Sequence, residues 1–146
     1  MRLDVAPDAE AALRALVDVV VPRHGGLESA SDRGVHEHVA SSLEALQPGS
    51  VKMLLLLLNI HARNVDPATR FADLDPETRA IVFADLAEDD AEEIRDAVDG
   101  VLVFTLGGYF SEWSGYDRAS RLLDSPPVWR RLGYEGPSHE HLPDAR

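Results

Sequence analysis

Ser50-Val51-Lys52-Met53-Leu54-Leu55-Leu56-Leu57-Leu58-Asn59-Ile60-His61-Ala62-Arg63 is the stretch whose reading decides the architecture. Pro48-Gly49 breaks the chain just before it, and Ser50 suits the capping position of a new helix. The leucines that follow fall on nearly every face of that helix, and a helix apolar all round is expected in the middle of a bundle. The apolar run from Val51 to Ala62 is only twelve residues long and contains Lys52, Asn59 and His61. A membrane span needs about 20 apolar residues. The stretch therefore reads as a buried helix, and no membrane insertion is expected.

Working outward, the helical period continues on both sides. Leu13, Leu16, Val17 and Val20 share one stripe of a helix from Asp8 to Val21, which Pro22 and Gly25-Gly26 stop. Ser29 or Ser31 is placed to cap a second helix, with Val35, Val39, Leu43 and Leu46 facing inward. Asp75-Pro76 is a start signal, since Asp caps and Pro fits the first turn. The helix after it has Ala80, Phe83, Leu86 and Ala87 as its stripe. Asp89 or Asp90 begins the fifth and longest helix, with Ile94, Val98, Val101, Thr105 and Tyr109 inward. The expected fold is all-α: a bundle of about five helices over 1–112, followed by an extended aromatic C-terminal arm over 113–146. The arm packs on the bundle or on a partner, and its one expected helix lies near Asp117 to Leu123.

Composition narrows the function. The chain has 146 residues, 14 Lys and Arg, 26 Asp and Glu, and a formal net charge of -12. That balance argues against nucleic acid and anionic membranes, which need basic surface. The absence of cysteine excludes disulfides, thiolate zinc sites and a cysteine nucleophile. Nothing at the start of the chain reads as a secretory leader, because Asp4, Asp8 and Glu10 interrupt it and no twin arginine occurs. The expected location is the cytoplasm. No phosphate loop, dinucleotide fingerprint, nucleophile elbow or Glu-x-x-His pair is present. His36 and His38 point apart on a helix and share no metal, so both read as partly exposed helix residues. The acids from Asp85 to Asp99 lack calcium-loop spacing and read as a solvated face. No catalytic, metal or cofactor residue is assigned.

The arm is the unusual part. Six of the nine aromatics fall between Tyr109 and Tyr134: Tyr109, Phe110, Trp113, Tyr116, Trp129 and Tyr134. Arg118, Arg121, Arg130 and Arg131 are interleaved with them. Aromatic residues and arginine are enriched at interface hot spots. The expected partner-binding residues are therefore Tyr109, Trp113, Tyr116, Arg118, Arg121, Trp129, Arg130, Arg131 and Tyr134. The same arm could instead cap its own bundle, and one face of it could do each. Residues 73–99 hold eleven acids against Arg79 and Arg95, a local charge of -9, while 111–134 is near neutral. The molecule is thus polarised between a solvated face and a face free to bind protein.

Four stretches resemble the gluconate 2-dehydrogenase subunit 3 family, the small accessory subunits of flavin-dependent sugar and alditol dehydrogenases. They are Leu13–Pro22, Ser29–Val35, Phe71-Ala72-Asp73-Leu74 with Asp75-Pro76, and Gly108-Tyr109-Phe110-Ser111 with the closing Trp129-Arg130-Arg131-Leu132-Gly133-Tyr134-Glu135-Gly136-Pro137. The resemblance implies a non-catalytic subunit or chaperone. Its partner would be a large flavoprotein of the glucose–methanol–choline type, and the FAD would sit in that partner. Many members carry a twin-arginine signal, which this chain lacks. The stretch Ser120 to Pro127 is also longer than the family's usual link. Two other readings stand beside this one. One is a stand-alone enzyme or small-ligand binder with a pocket near His61 and Tyr109, drawing on Arg63 or His24. The other is self-association through the arm.

Overall fold

A computed structural model describes residues 7–111, 116–117, 122–123 and 127–134. The architecture is all-α, as expected. The chain divides into two compact units, Met1–Tyr109 and Phe110–Arg146.

In the first unit, helix α1 (Pro7–Val20) buries Ala12, Leu13, Ala15, Leu16 and Val17. Helix α2 (Val35–Leu46) buries Val35, His36, Val39, Ala40 and Leu43. Helix α3 (Ser50–Val65) meets α2 at a bend of 116°. A single 3-10 turn (Phe71–Asp73) leads into α4 (Pro76–Ala87), and α5 (Glu92–Phe110) follows. Among the described residues, no single helix is long and apolar enough to cross a membrane.

Phe71 is the keystone of the core. Its ring is wholly buried, and its N–H donates to Asn59 Oδ1 on α3 at 3.0 Å. The turn that carries it is tied to α1, because Arg70 bridges Asp8 and Asp73 at 2.8 Å each. The Arg70 guanidinium holds the Asp73 carboxyl below its ordinary range. A bulky ring driven into the centre by a short polar turn joins α1, α3 and α4 around one point.

Helix starts follow the expected chemistry in one case and depart from it in two. Asp75 caps α4: its carboxylate accepts from the N–H of Thr78 at 3.0 Å and from its hydroxyl at 2.6 Å, with Pro76 in the first turn. Ser50 does not cap α3. Its hydroxyl is buried without a partner, and Glu44 takes the role from the last turns of α2. The two Glu44 oxygens accept from Gly49 N at 2.9 Å and Val51 N at 3.1 Å. Ser29 and Ser31 do not cap α2, which starts after Gly34; Ser31 turns back to Asp18 on α1, and Ser29 bonds Asp32 within the loop.

That return is set by Gly25-Gly26. His24 and Leu27 exchange backbone hydrogen bonds across these two residues, at 2.8 and 3.3 Å. Both glycines have positive φ, 56° and 80°. A two-residue hairpin turn with both central residues at positive φ favours glycine over residues with a Cβ. The chain reverses there, and Ala30 N reaches Val21 O at 3.0 Å.

Burial corrects several expected faces. The leucines of α3 are not buried all round: Leu54, Leu55 and Leu58 are, whereas Leu56 is 61% exposed and Ile60 is also exposed. On α4 the stripe is Val82, Phe83 and Leu86, with Ala80 at the surface. Leu46 at the end of α2 is exposed, and His36, read as partly exposed, is 3% exposed. On α5 the line Val98, Val101, Thr105 and Tyr109 is buried as expected, with Ala97 added, while Ile94 is only half-buried.

Helix α5 runs antiparallel to α2, and two glycines set their approach. A Cβ at Gly100 would sit 2.7 Å from Leu43 Cδ2, and one at Gly108 would sit 2.8 Å from His38 Cδ2. Between them Phe104 meets the His38 ring edge-on, with centroids 6.2 Å apart.

In the second unit, the expected helix near Asp117 to Leu123 is replaced by a short antiparallel pairing. Strand β1 (Tyr116–Asp117) pairs with β2 (Leu122–Leu123), matching Tyr116 to Leu123. A helix that was not expected, α6 (Pro127–Leu132), follows and stops at Gly133, φ 70°.

Candidate functional site

The expected partner-binding residues fall into three groups. Trp113, Arg118 and Arg121, and the side chain of Tyr116, lie outside the described residues. Tyr109 belongs to the bundle interior. Its ring is 2% exposed, and its hydroxyl donates to Glu28 O at 2.6 Å. Burial raises its pKa above the ordinary phenol value. It ties α5 to the loop before α2, and a side chain buried that far offers no surface to a partner.

Helix α6 carries the rest. Pro127 fits its first turn, and the helix is too short to be stable without anchoring. Val128 is buried, and Trp129 supplies the anchor. The indole N–H of Trp129 donates to Phe110 O at 2.9 Å, within the same unit. The Trp129 ring meets Tyr134 edge-to-face, with centroids 5.0 Å apart and planes at 78°. Tyr134 N closes the turn on Trp129 O at 2.8 Å. Arg130, Arg131, Leu132 and Tyr134 remain exposed, Leu132 at 61% and Tyr134 at 50%. Trp129 is therefore an internal fastener. What α6 leaves exposed is two guanidinium groups and a leucine, with Tyr134 exposed just beyond its end.

A second feature was not anticipated from the sequence. The end of α1, the loop Ser29–Asp32 and the start of α4 enclose a cleft of about 440 Å³. Asp18 braces its floor, accepting from Ser31 N at 2.8 Å and from the Ser31 hydroxyl at 2.7 Å. Asp32 accepts from Ser29 N at 3.0 Å and from its hydroxyl at 2.9 Å, and pairs with Arg23. The Ser29 amide, with its hydroxyl, holds the Asp32 carboxyl below the ordinary range. On the opposite wall, Arg79 donates to Ala72 O at 2.7 Å, while its buried Nε finds no acceptor. The signal in the sequence was Ser29-Ala30-Ser31-Asp32, a run suited to local side chain–backbone bonding as well as to capping. Only the reversal at Gly25-Gly26 chooses between the two.

A smaller hollow of about 240 Å³ lies against Leu55, Leu56, Asn59 and Arg70. Neither hollow has His24, His61, Arg63 or Tyr109 in its wall. Among the described residues, no three His, Asp or Glu side chains converge as metal ligands.

No family model, curated protein or solved structure matches this chain.

Proposed function

We propose that this protein is a non-catalytic accessory subunit that binds and stabilises a large flavoprotein oxidoreductase of the glucose–methanol–choline type, in the cytoplasm. The FAD and the hydride chemistry belong to the partner. The observation that carries the reading is the division of α6: Val128 and Trp129 secure it, while Arg130, Arg131, Leu132 and Tyr134 are left exposed. Arg offers forked hydrogen bonds to carboxylates, and aromatic residues anchor interfaces. The four stretches that resemble the subunit 3 family supply the kind of partner. Co-expression with a flavoprotein of that type should yield a yellow complex, whereas this chain purified alone should be colourless. Changing Leu132 and Tyr134 together to Ala should weaken the complex, since truncating a central anchor often costs about 2 kcal/mol. A yellow chain on its own, or a complex indifferent to that double change, would sink the reading.

A second reading, a small-ligand-binding bundle, is favoured by the cleft beside Asp18 and Arg79. The Arg79 guanidinium in its wall suits a small acceptor-bearing molecule such as a carboxylate. A panel of small carboxylates should then raise the melting temperature. No rise in the wild-type chain, or an equal rise in an Arg79→Gln variant, would remove it.

A further inference from the structure

The outward side of α5 carries a pattern that neither reading uses. Glu92, Asp96, Asp99, Val103 and Leu106 are all exposed, Val103 at 64% and Leu106 at 44%. They recur at steps of four, three, four and three, so they form a single line opposite the buried Val98, Val101 and Thr105. Residues so spaced run along one side of the helix, the side a second helix would pack along. The line is about 21 Å long at 1.5 Å per residue. Its first half is acidic and its second half apolar. Among the described residues no basic side chain forms an ion pair with Glu92, Asp96 or Asp99. Gly100, on the flank of the same helix, lies close against Leu43 of α2.

We propose that this line is the seat of an amphipathic helix from a different protein. The matching face of that helix places apolar residues over Val103 and Leu106 and Lys or Arg over Glu92, Asp96 and Asp99. The sequence of the line argues against a second copy as occupant. Two copies side by side in parallel set acid against acid. Two copies antiparallel set Glu92 and Asp96 against Leu106 and Val103, desolvating carboxylates without a partner. Only a helix with the complementary gradient satisfies both halves. The proposal goes beyond the accessory-subunit reading, which rests on α6.

The test uses fluorescently labelled synthetic peptides and the full chain. One peptide of about 18 residues carries leucines at one end of a heptad seam and lysines at the other, and a second has that order reversed. A third alternates leucine and lysine along the seam at the same composition. Fluorescence anisotropy should show one of the two graded peptides binding about tenfold or more tighter than the alternating one. Leu106→Asp, and separately the pair Asp96→Lys with Asp99→Lys, should each remove that preference. Val103→Ser serves in place of Leu106→Asp if circular dichroism shows loss of fold. The Leu132→Ala, Tyr134→Ala double variant should leave binding unchanged, which separates this surface from α6. Graded peptides that bind no better than the alternating one overturn the proposal. So does binding that survives the α5 changes. A dimer in sedimentation that Leu106→Asp disperses also overturns it, by making a second copy the occupant.

Discussion

His36 puts an ionisable ring where water does not reach. Both of its nitrogens lack hydrogen-bond partners, and Nε2 stands 3.8 Å from the Glu10 carboxylate, which Arg14 already engages. Burial, reinforced by Arg14, holds its pKa below the ordinary 6.5. The native state keeps the ring neutral while the unfolded chain takes up a proton, so stability is lost as pH falls below 6.5. Urea unfolding on either side of that pH should show the loss, and a His36→Leu variant should flatten it. Asp75 gives a second test at this scale. Asp75→Ala removes the acceptor of two Thr78 donors and should lower the denaturant midpoint. The Asp75 carboxyl titrates below its ordinary range because Thr78 bonds its charged form, so its contribution disappears only in strong acid. The cap at Asp75 was legible because every ingredient is adjacent in the chain. The burial of His36 was not, because the residues around it come from α1.

At the level of elements, Gly100 and Gly107 lie on one helix and make opposite predictions. A methyl group at Gly100 would press on the buried Leu43, whereas one at Gly107 meets nothing within 4 Å. Gly107→Ala should stabilise the chain by up to about 1 kcal/mol through helix propensity alone. Gly100→Ala gains the same propensity but overpacks the α2 contact, and a net loss of about 1 kcal/mol is expected. A pair of melting curves decides both. The helices themselves could be read from their period and their breaks. The faces were harder to read where the pattern saturates. Five leucines in a row fit any orientation of α3, and the surrounding α1, α2, α4 and Phe71 turn select which of them go inside. In the same way Ala80 and Val82 are both apolar, and the packing of α4 buries the larger one.

Across the whole molecule, charge is spread unevenly: most of the net -12 sits between residues 73 and 99. Repulsion among those acids opposes folding, and salt screens it over about 10 Å at 0.1 M. Adding salt at neutral pH should therefore raise the melting temperature by a few degrees. An unchanged or falling midpoint would mean that surface ion pairs such as Arg70–Asp8 outweigh the repulsion. A change of texture after the fifth helix is visible in the sequence. The role of Trp129 as a fastener is not, because an indole donor and a backbone carbonyl nineteen residues apart leave no periodic trace. Finally, the Glu44 carboxylate spans the corner between α2 and α3, so the last turns of one helix complete the first turn of the other. If α2 frays at that corner, two amides at the start of α3 lose their acceptor, and if α3 frays, Glu44 loses both donors. In native-state hydrogen exchange the amides of Gly49 and Val51 should then be protected as a pair and open together with α2. Glu44→Gln should keep much of that protection, and Glu44→Ala should release both amides to exchange at the rate of a local opening.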